Sequence, residues 1–165
     1  MIKRCLANTL NTDSFKFENW THGKYSSQSA EISSLWDSKK LGFHIEELAP
    51  KSFSCPYHFH HQEEELFLAL KGKAMVRQDD EFYEIVEGDL VLFKSGVAHQ
   101  FYNHTSEPFR FLALSDKALD EVCEYPDSSK KWERKTKKLT QNGAEVEDYF
   151  LDEENPDLSW PKELL

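Results

Sequence analysis

Short runs of β-branched and aromatic residues, separated by turn residues, dominate the middle of the chain. The runs between Leu41 and Ser115 read LGFHIEEL, ELFLALKG, KAMVRQ, EFYEIVEG, DLVLFKSG, HQFYNH and FRFLALS. The turn residues between them are Pro50, Pro56, Gly72, Asp79-Asp80, Gly88-Asp89, Ser95-Gly96 and Glu107-Pro108. Short strands with turns at this spacing predict an all-β sandwich or barrel. No helical period is sustained there, so helices are expected only at Lys117 to Cys123 and around Lys130 to Leu139.

The amino-acid composition changes on either side of this region. Residues 1–40 are mixed and polar, and they predict an N-terminal arm that packs on the barrel. Residues 41–116 are expected to form the barrel core. Residues 117–165 carry a basic block and then an acidic block, a pattern typical of a solvated tail. Because aromatic residues recur within these blocks, we expect a C-terminal extension that is partly packed against the barrel.

Length and charge restrict the class of protein. A chain of 165 residues suits one domain with tails, and it can bury a core without disulfides. Its net charge of -10 repels phosphate backbones, so nucleic-acid binding is not expected. Cys5, Cys55 and Cys123 are widely spaced and form no CxxC pair, which is typical of reduced thiols. No stretch is long and apolar enough for a signal peptide or a membrane span, so we expect a cytoplasmic protein.

Two histidines stand at alternate positions just before the apolar run ELFLALKG. In an extended strand the side chains of His58 and His60 leave from the same face. In a straight strand the side chain of Glu65 would leave from the opposite face, because Glu65 lies five residues after His60. A turn through residues 61–64 would instead place Glu65 at the start of an antiparallel neighbouring strand. Two imidazoles and a carboxylate would then converge. Such a donor set suits a divalent metal with an open position for water or substrate.

A second stretch, GDLVLFKSGVAHQFYN, supplies a further histidine. Gly88-Asp89 and Ser95-Gly96 predict turns on either side of a buried strand from Leu90 to Phe93. His99 then begins another strand, with Phe101 on the same face. We predict that His99 is the fourth ligand.

These two stretches resemble the two sequence motifs of the cupin superfamily. The first motif, G-x5-H-x-H-x3/4-E-x6-G, is matched by His58, His60, Glu65 and Gly72. The second motif, G-x5-P-x-G-x2-H-x3-N, is matched by Gly88, Gly96, His99 and Asn103. Ser52 and Lys94 stand where the motifs have Gly and Pro, and these are turn positions rather than ligands. The short spacing between the motifs resembles that of single-domain microbial cupins, and CEYPDSSK resembles a group of them without a settled substrate.

The resemblance implies a double-stranded β-helix, the jelly-roll or cupin barrel, with a few short helices. It also implies one divalent metal ion, which three imidazoles and one carboxylate would hold as Zn, Fe, Mn, Ni or Co. The superfamily includes dioxygenases, isomerases and lyases, and fold alone does not choose among them.

Other titratable residues near the motifs are expected to be structural or exposed. In a strand the side chain of His61 would leave from the face opposite to those of His58 and His60, so it is expected to face solvent. Glu63 and Glu64 are expected to be surface carboxylates on the turn, with Glu64 as the alternative ligand if the motif gap is three residues. The histidines without sequence partners, expected to be structural or exposed, are His22, His44 and His104, of which His44 falls on an early strand.

Aromatic side chains are expected beside the ligands. Phe67 shares the parity of Glu65 and Phe101 shares that of His99, so both should line the cavity as core or as substrate contacts. The leucines of opposite parity on the same strand, Leu66, Leu68 and Leu70, indicate that it is buried on both faces. The second sheet, the arm or another subunit would cover its outer face, and a homodimer is expected.

Two functions fit these residues. One is a metal-dependent enzyme that acts on a small oxygenated substrate, carboxylate or sugar-like, through dioxygenase, isomerase or lyase chemistry. The other is a non-catalytic module that binds a sugar or a small acid in the same cavity. An enzyme needs a general acid or base near the metal, and the candidates are Arg77, Tyr83, Tyr102 and Asp116. No helix-turn-helix pattern is present, which disfavours a DNA-binding regulator.

Overall fold

The computed structural model describes residues 15–79 and 81–165. Residues 1–14 of the N-terminal arm, which include Cys5, and the second aspartate of the Asp79-Asp80 turn lie outside these ranges. The strands of the described chain are β1 (Glu18–His22), β2 (Tyr25–Glu31), β3 (Leu41–Leu48), β4 (Phe59–His60), β5 (Glu65–Lys71), β6 (Lys73–Gln78), β7 (Glu81–Val86), β8 (Leu90–Phe93), β9 (His99–Tyr102), β10 (Phe109–Asp116), β11 (Val122–Tyr125), β12 (Lys130–Glu133), β13 (Lys138–Gln141) and β14 (Ala144–Val146).

The strands form three antiparallel sheets. The largest has the order β1-β2-β3-β10-β5-β8, and the smallest has the order β7-β6-β9. The third sheet, β14-β13-β12-β11-β4, joins the C-terminal strands to β4, which carries His60. Strand β4 therefore receives its hydrogen-bonding partner, β11, from a segment about sixty residues further along the chain.

The main core lies between the six-stranded and three-stranded sheets. Strand β5 contributes Phe67 and Ala69, strand β10 contributes Phe111, and the facing sheet contributes Val76 and Phe101. On β5 and β10 the core residues alternate with partly exposed ones, as in a barrel wall. The sequence-based prediction of an all-β barrel with a few short helices is confirmed.

A second apolar cluster covers the outer side of the three-stranded sheet. Met75 and Tyr102 pack there against Trp160 from the end of the chain and Tyr25 from β2. The indole Nε1 of Trp160 donates a hydrogen bond of 2.8 Å to Gln100 Oε1. Residues from both ends of the described chain are thus packed on this face of the barrel.

The helices predicted for the C-terminal region are wrong. Residues 117–121 form a loop that leads into β11, which includes residues 122 and 123, and residues 130–139 include β12 and part of β13. The physical reason is a small apolar cluster in which Cys123 lies opposite Trp132, and Trp132 lies opposite Leu139. The helical segments that the described residues do form are short: α1 (Ile32–Leu35) and the 3-10 turns Pro156–Ser159 and Lys162–Leu164. None of them is long and apolar enough to cross a membrane.

Candidate metal centre

Three histidines and one glutamate come together from three strands and one loop. His58 and His60 are carried by the segment around β4, Glu65 begins β5, and His99 begins β9. His58 and His99 form an antiparallel bridge, in which the His99 N–H donates to the His58 carbonyl at 2.8 Å. The Nε2 atoms of His58, His60 and His99 lie 3.8, 3.3 and 3.0 Å from Glu65 Oε2. The three histidines predicted as ligands therefore converge on one carboxylate oxygen of the fourth predicted ligand, Glu65.

The other ring nitrogen of two of these histidines faces a backbone carbonyl. His58 Nδ1 lies 2.9 Å from the carbonyl oxygen of Pro56, and His99 Nδ1 lies 3.3 Å from that of Val97. A proton on Nδ1 can be donated to each carbonyl, which leaves Nε2 as the free lone pair toward the centre. Phe93 stacks face to face on His99, with ring centroids 3.9 Å apart, and this contact holds the ring in place.

Buried polar atoms without partners indicate that this centre fits a metal ion. Among the described residues, neither Glu65 Oε2 nor His99 Nε2 has a hydrogen-bond partner of acceptable geometry, although both atoms are buried. Unsatisfied buried acceptors are costly, and a bound cation would satisfy both. Donor atoms of His58, Glu65 and His99 all lie within 4.8 Å of one another, and His60 approaches the same carboxylate from the side. The chemistry of the set, neutral imidazoles with one carboxylate, suits a divalent transition metal.

The region that holds these residues matches a known family. The family model for the cupin domain matches residues 44–115, which include all four side chains. Residues 44–115 form a cupin domain. A search of curated proteins finds no significant match.

Solved structures with the double-stranded β-helix fold support this assignment. A candidate sugar phosphate isomerase from Acidithiobacillus ferrooxidans has a TM-score of 0.74 and 25% identity, over 82% of this chain and 90% of that one. A sugar phosphate isomerase of the cupin superfamily from Silicibacter pomeroyi has a TM-score of 0.73 and 21% identity, over 83% and 95% of the two chains. A candidate oxalate decarboxylase from Thermotoga maritima has a TM-score of 0.58 and 22% identity, over 66% and 97%. The implied cupin barrel is confirmed.

Electrostatics at the centre of this cupin favour an ionised glutamate among imidazoles. Burial opposes the charged form of Glu65, but the imidazoles of His60 and His99, 3.3 and 3.0 Å from its carboxylate oxygen, outweigh it and hold the pKa of Glu65 well below its ordinary value. Burial, followed by the nearby charge of His99, lowers the pKa of His58 to about 3. His58 is therefore neutral at physiological pH, as a metal ligand must be.

A cavity of about 210 Å³ opens beside the ligand set. Phe67 and Phe101 lie in its wall with Glu65 and His99, as the parity of the strands predicted. A cavity of this volume suits a small ligand rather than a drug-sized one. Whether the two rings touch a substrate stays a prediction.

Two titratable residues of β3 line this cavity, and the sequence-based reasoning placed neither of them there. His44 and Glu46 line it, and His44 Nε2 lies 3.3 Å from Glu46 Oε2. Burial opposes protonation of His44, but the hydrogen bond and charge of Glu46, with the charge of Glu31, outweigh it and raise the pKa of His44. The alternation in LGFHIEEL could have indicated this position. His44 and Glu46 lie four and two residues before the buried Leu48, so in a strand their side chains leave from the same face as that of Leu48.

The residues predicted as acid or base candidates lie elsewhere. Arg77 forms an ion pair with Asp127 at 2.6 Å, and Tyr83 donates a hydrogen bond to Gln78 at 2.7 Å. Tyr102 belongs to the outer aromatic cluster, and the Asp116 carboxylate accepts the Glu64 N–H. None of the four lines the cavity beside the ligand set.

The prediction that Glu63 is a surface carboxylate is wrong. Its side chain is only 3% exposed, because the guanidinium of Arg134 from beyond β12 pairs with it and the Ala118 N–H donates to it at 2.7 Å. Glu64 is exposed as expected, and it lines a depression on the outer face of the barrel rather than the ligand group.

The remaining histidines have partners that the sequence did not reveal. His61 is exposed as expected, and it contacts Glu124 at 2.7 Å. His104 contacts Glu84 at 3.0 Å, and His22 stacks on Phe150 with ring centroids 4.0 Å apart.

Proposed function

We propose that this cupin is a metal-dependent enzyme that transfers protons on a small oxygen-rich substrate, as in the isomerisation of a hydroxy-carbonyl compound. The observation that carries the proposal is the His44–Glu46 pair, which shares one small cavity with the ligand set. A pair of this kind supplies the general acid and base that a non-catalytic binding module does not need. The similarity to the candidate sugar phosphate isomerase from Acidithiobacillus ferrooxidans supports the same class of reaction.

Each group in the cavity has its own role in the proposed reaction. One divalent metal ion, Zn, Fe, Mn, Ni or Co, would be held by His58, His60, Glu65 and His99 and would supply Lewis acidity toward a substrate oxygen. The Glu46 carboxylate takes a proton from the carbon that bears the hydroxyl group and returns it to the former carbonyl carbon. His44, protonated because its pKa is raised, holds the proton that passes between the two substrate oxygens. One proton leaves carbon and one returns to carbon, so no oxidant or reductant is consumed.

The neighbouring surface supports an oxygen-rich substrate. A second cavity of about 190 Å³ shares His44 and Glu65 with the first and adds Ser115 and Lys117. A hydroxyl and an ammonium group offer hydrogen bonds and a positive charge to substrate oxygens. A ligand that extends outward from the metal past His44 would meet these groups.

Hydrogen–deuterium exchange tests the proposed function. Metal-loaded protein is incubated in D2O with a panel of aldoses, ketoses, their phosphates and small hydroxy acids, and proton NMR follows each C–H signal. We expect deuterium to enter one carbon position of a substrate and the isomer to accumulate. Ligands that change the visible spectrum of the cobalt-substituted protein, with no exchange and no product across the panel, would instead support a non-catalytic binding module.

We also propose that the enzyme acts as a cytoplasmic homodimer. The outer face of the six-stranded sheet bears leucines on neighbouring strands, and Leu90 and Leu92 on its edge strand β8 are 62% and 45% exposed. Apolar patches and exposed edge strands of this kind are usually covered, most often by a two-fold copy of the same chain. The free thiols of Cys55 and Cys123 are compatible with a reducing compartment.

Replacing Leu92 with Lys should shift the protein toward the monomer, because a charge would be buried in the proposed interface. Light scattering coupled to size exclusion would measure the mass of the variant and of Lys94→Glu, an exposed change on the loop that follows β8. A wild-type chain that elutes as a monomer at all accessible concentrations would refute the dimer.

A further inference from the structure

Two buried carboxylates lie behind His60, on the side away from the ligand centre. His60 Nδ1 is 3.4 Å from Glu121 Oε1 and 3.8 Å from Glu63 Oε2. The two glutamate side chains are 1% and 3% exposed, respectively. Among the described residues, Nδ1 is buried without a hydrogen bond of acceptable geometry. His60 thus differs from His58 and His99, whose outer nitrogens face backbone carbonyls.

Backbone hydrogen bonds hold Glu121 in this position. Its carboxylate accepts the N–H groups of His61, Gln62 and Glu63 at 2.8, 3.1 and 2.8 Å. These are three of the four residues of the turn between His60 and Glu65, so Glu121 fixes the loop that joins two of the predicted ligands. Strand β11, which follows Glu121 directly, pairs with β4 so that Cys123 lies opposite His60.

The geometry argues against a second metal ion at these carboxylates. His60, Glu63 and Glu121 do offer three donor atoms within 4.8 Å of one another. However, Arg134 pairs with both oxygens of Glu63, so a guanidinium already supplies the positive charge beside this carboxylate. Both oxygens of Glu121 already accept backbone N–H groups. The carboxylates of Glu63 and Glu121 therefore already have partners within the protein for most of their charge and lone pairs.

We propose that Glu121 is a positioning residue for the metal centre: its carboxylate accepts a hydrogen bond from the Nδ1–H of His60 and so directs His60 Nε2 toward Glu65. A small rotation of the imidazole ring would complete this hydrogen bond, since the two atoms are already 3.4 Å apart. The carboxylate also makes the imidazole a stronger donor and fixes its tautomer, as outer partners of metal-bound histidines do. The C-terminal extension, which contributes Glu121 and Arg134, then helps to position a metal ligand. This inference rests on the metal site of the proposed function and not on its reaction.

The test compares Glu121→Gln with Glu124→Gln, a matched change on β11 whose carboxylate contacts His61 at the surface. Cobalt affinity is measured by competition with a chromophoric chelator, and the visible spectrum reports the coordination. We expect Glu121→Gln to bind cobalt about 10–100-fold more weakly, with an altered spectrum, while Glu124→Gln matches the wild type. Thermal unfolding of the metal-free proteins shows whether each variant is folded.

A measurement on the unmodified protein covers the case in which Glu121→Gln does not fold. Long-range proton–nitrogen NMR of the zinc-loaded wild type should show His60 protonated on Nδ1 and bound to metal through Nε2. A proton on Nε2 of His60, or a folded Glu121→Gln variant with wild-type affinity and spectrum, would overturn the positioning role. A wild-type protein that binds no cobalt or zinc would overturn the metal site itself, and with it the proposed function.

Discussion

Replacing Glu46 with Gln should lower turnover by about 10²–10⁴-fold, the range expected when a general base is removed. The amide keeps the size of the side chain and can still contact His44, but it cannot accept a proton from carbon. Since the substrate would still reach the metal, the Michaelis constant should change much less than the turnover number. The measurement is the rate of deuterium incorporation and of isomer formation, with whichever substrate the exchange panel reveals.

The matched control is Glu47→Gln on the same strand. Glu47 has the opposite parity and pairs with Arg110 at 2.5 Å on the other face of the sheet, outside the cavity. Its replacement should leave turnover near the wild-type value. If Glu46→Gln retained full exchange activity while remaining folded, the assignment of the base would be wrong.

The pH dependence provides an independent check on His44. Because Glu46 and Glu31 raise its pKa above the ordinary 6.5, the protonated form required here persists to higher pH and is lost as the pH rises through the raised value. Turnover should therefore decline on the alkaline side, and Glu46→Gln should move that decline to lower pH. A profile that is the same in both proteins would show that His44 is not the titrating acid.

Removing the metal should cost about 2.7 kcal/mol of unfolding free energy when the free metal concentration is about a hundredfold above its dissociation constant. Only the folded chain brings together His58, His60, Glu65 and His99, so the ion binds the native state and not the unfolded one. Chelator should lower the melting temperature of the wild type at neutral pH. His99→Ala should bind little metal and should show no response to chelator.

His104→Ala provides the control, because His104 contacts Glu84 outside the ligand set and its variant should respond to chelator as the wild type does. A wild-type melting temperature that is indifferent to chelator would contradict the metal site.

Acid should destabilise the metal-free protein through the same residues. The pKa of His58 is about 3 in the folded chain and 6.5 ordinarily, so its contribution is present above pH 6.5 and is lost as the pH falls toward 3. The lowered pKa of Glu65 acts in the same direction below pH 4.5. Denaturant titrations over this range should show the loss, and His58→Gln should make it shallower.

The local features of this protein could be predicted from sequence because their signals are local and periodic. Alternating apolar residues and Gly or Pro turns are sufficient to predict strands, since side chains in a strand leave alternate faces. The same parity placed Phe67 and Phe101 in the wall of the cavity, and the spacing of His58, His60, Glu65 and His99 predicted a shared centre. The assignment of these four as ligands stays a prediction.

The roles of charged residues far apart in the chain were decided only by the tertiary structure. Glu63 resembles any surface carboxylate until Arg134 is folded against it, and Glu121 has no local pattern that connects it with His60. The C-terminal strands were mistaken for helices because only the folded chain shows the apolar cluster of Cys123, Trp132 and Leu139 and the pairing of β11 with the distant β4. A buried charge is tolerated only with a partner, and that partner can come from any distance along the chain. The sequence by itself therefore determined the barrel and the convergence of the four side chains, whereas the His44–Glu46 pair and the acidic support of His60 arise from contacts that only the folded chain makes.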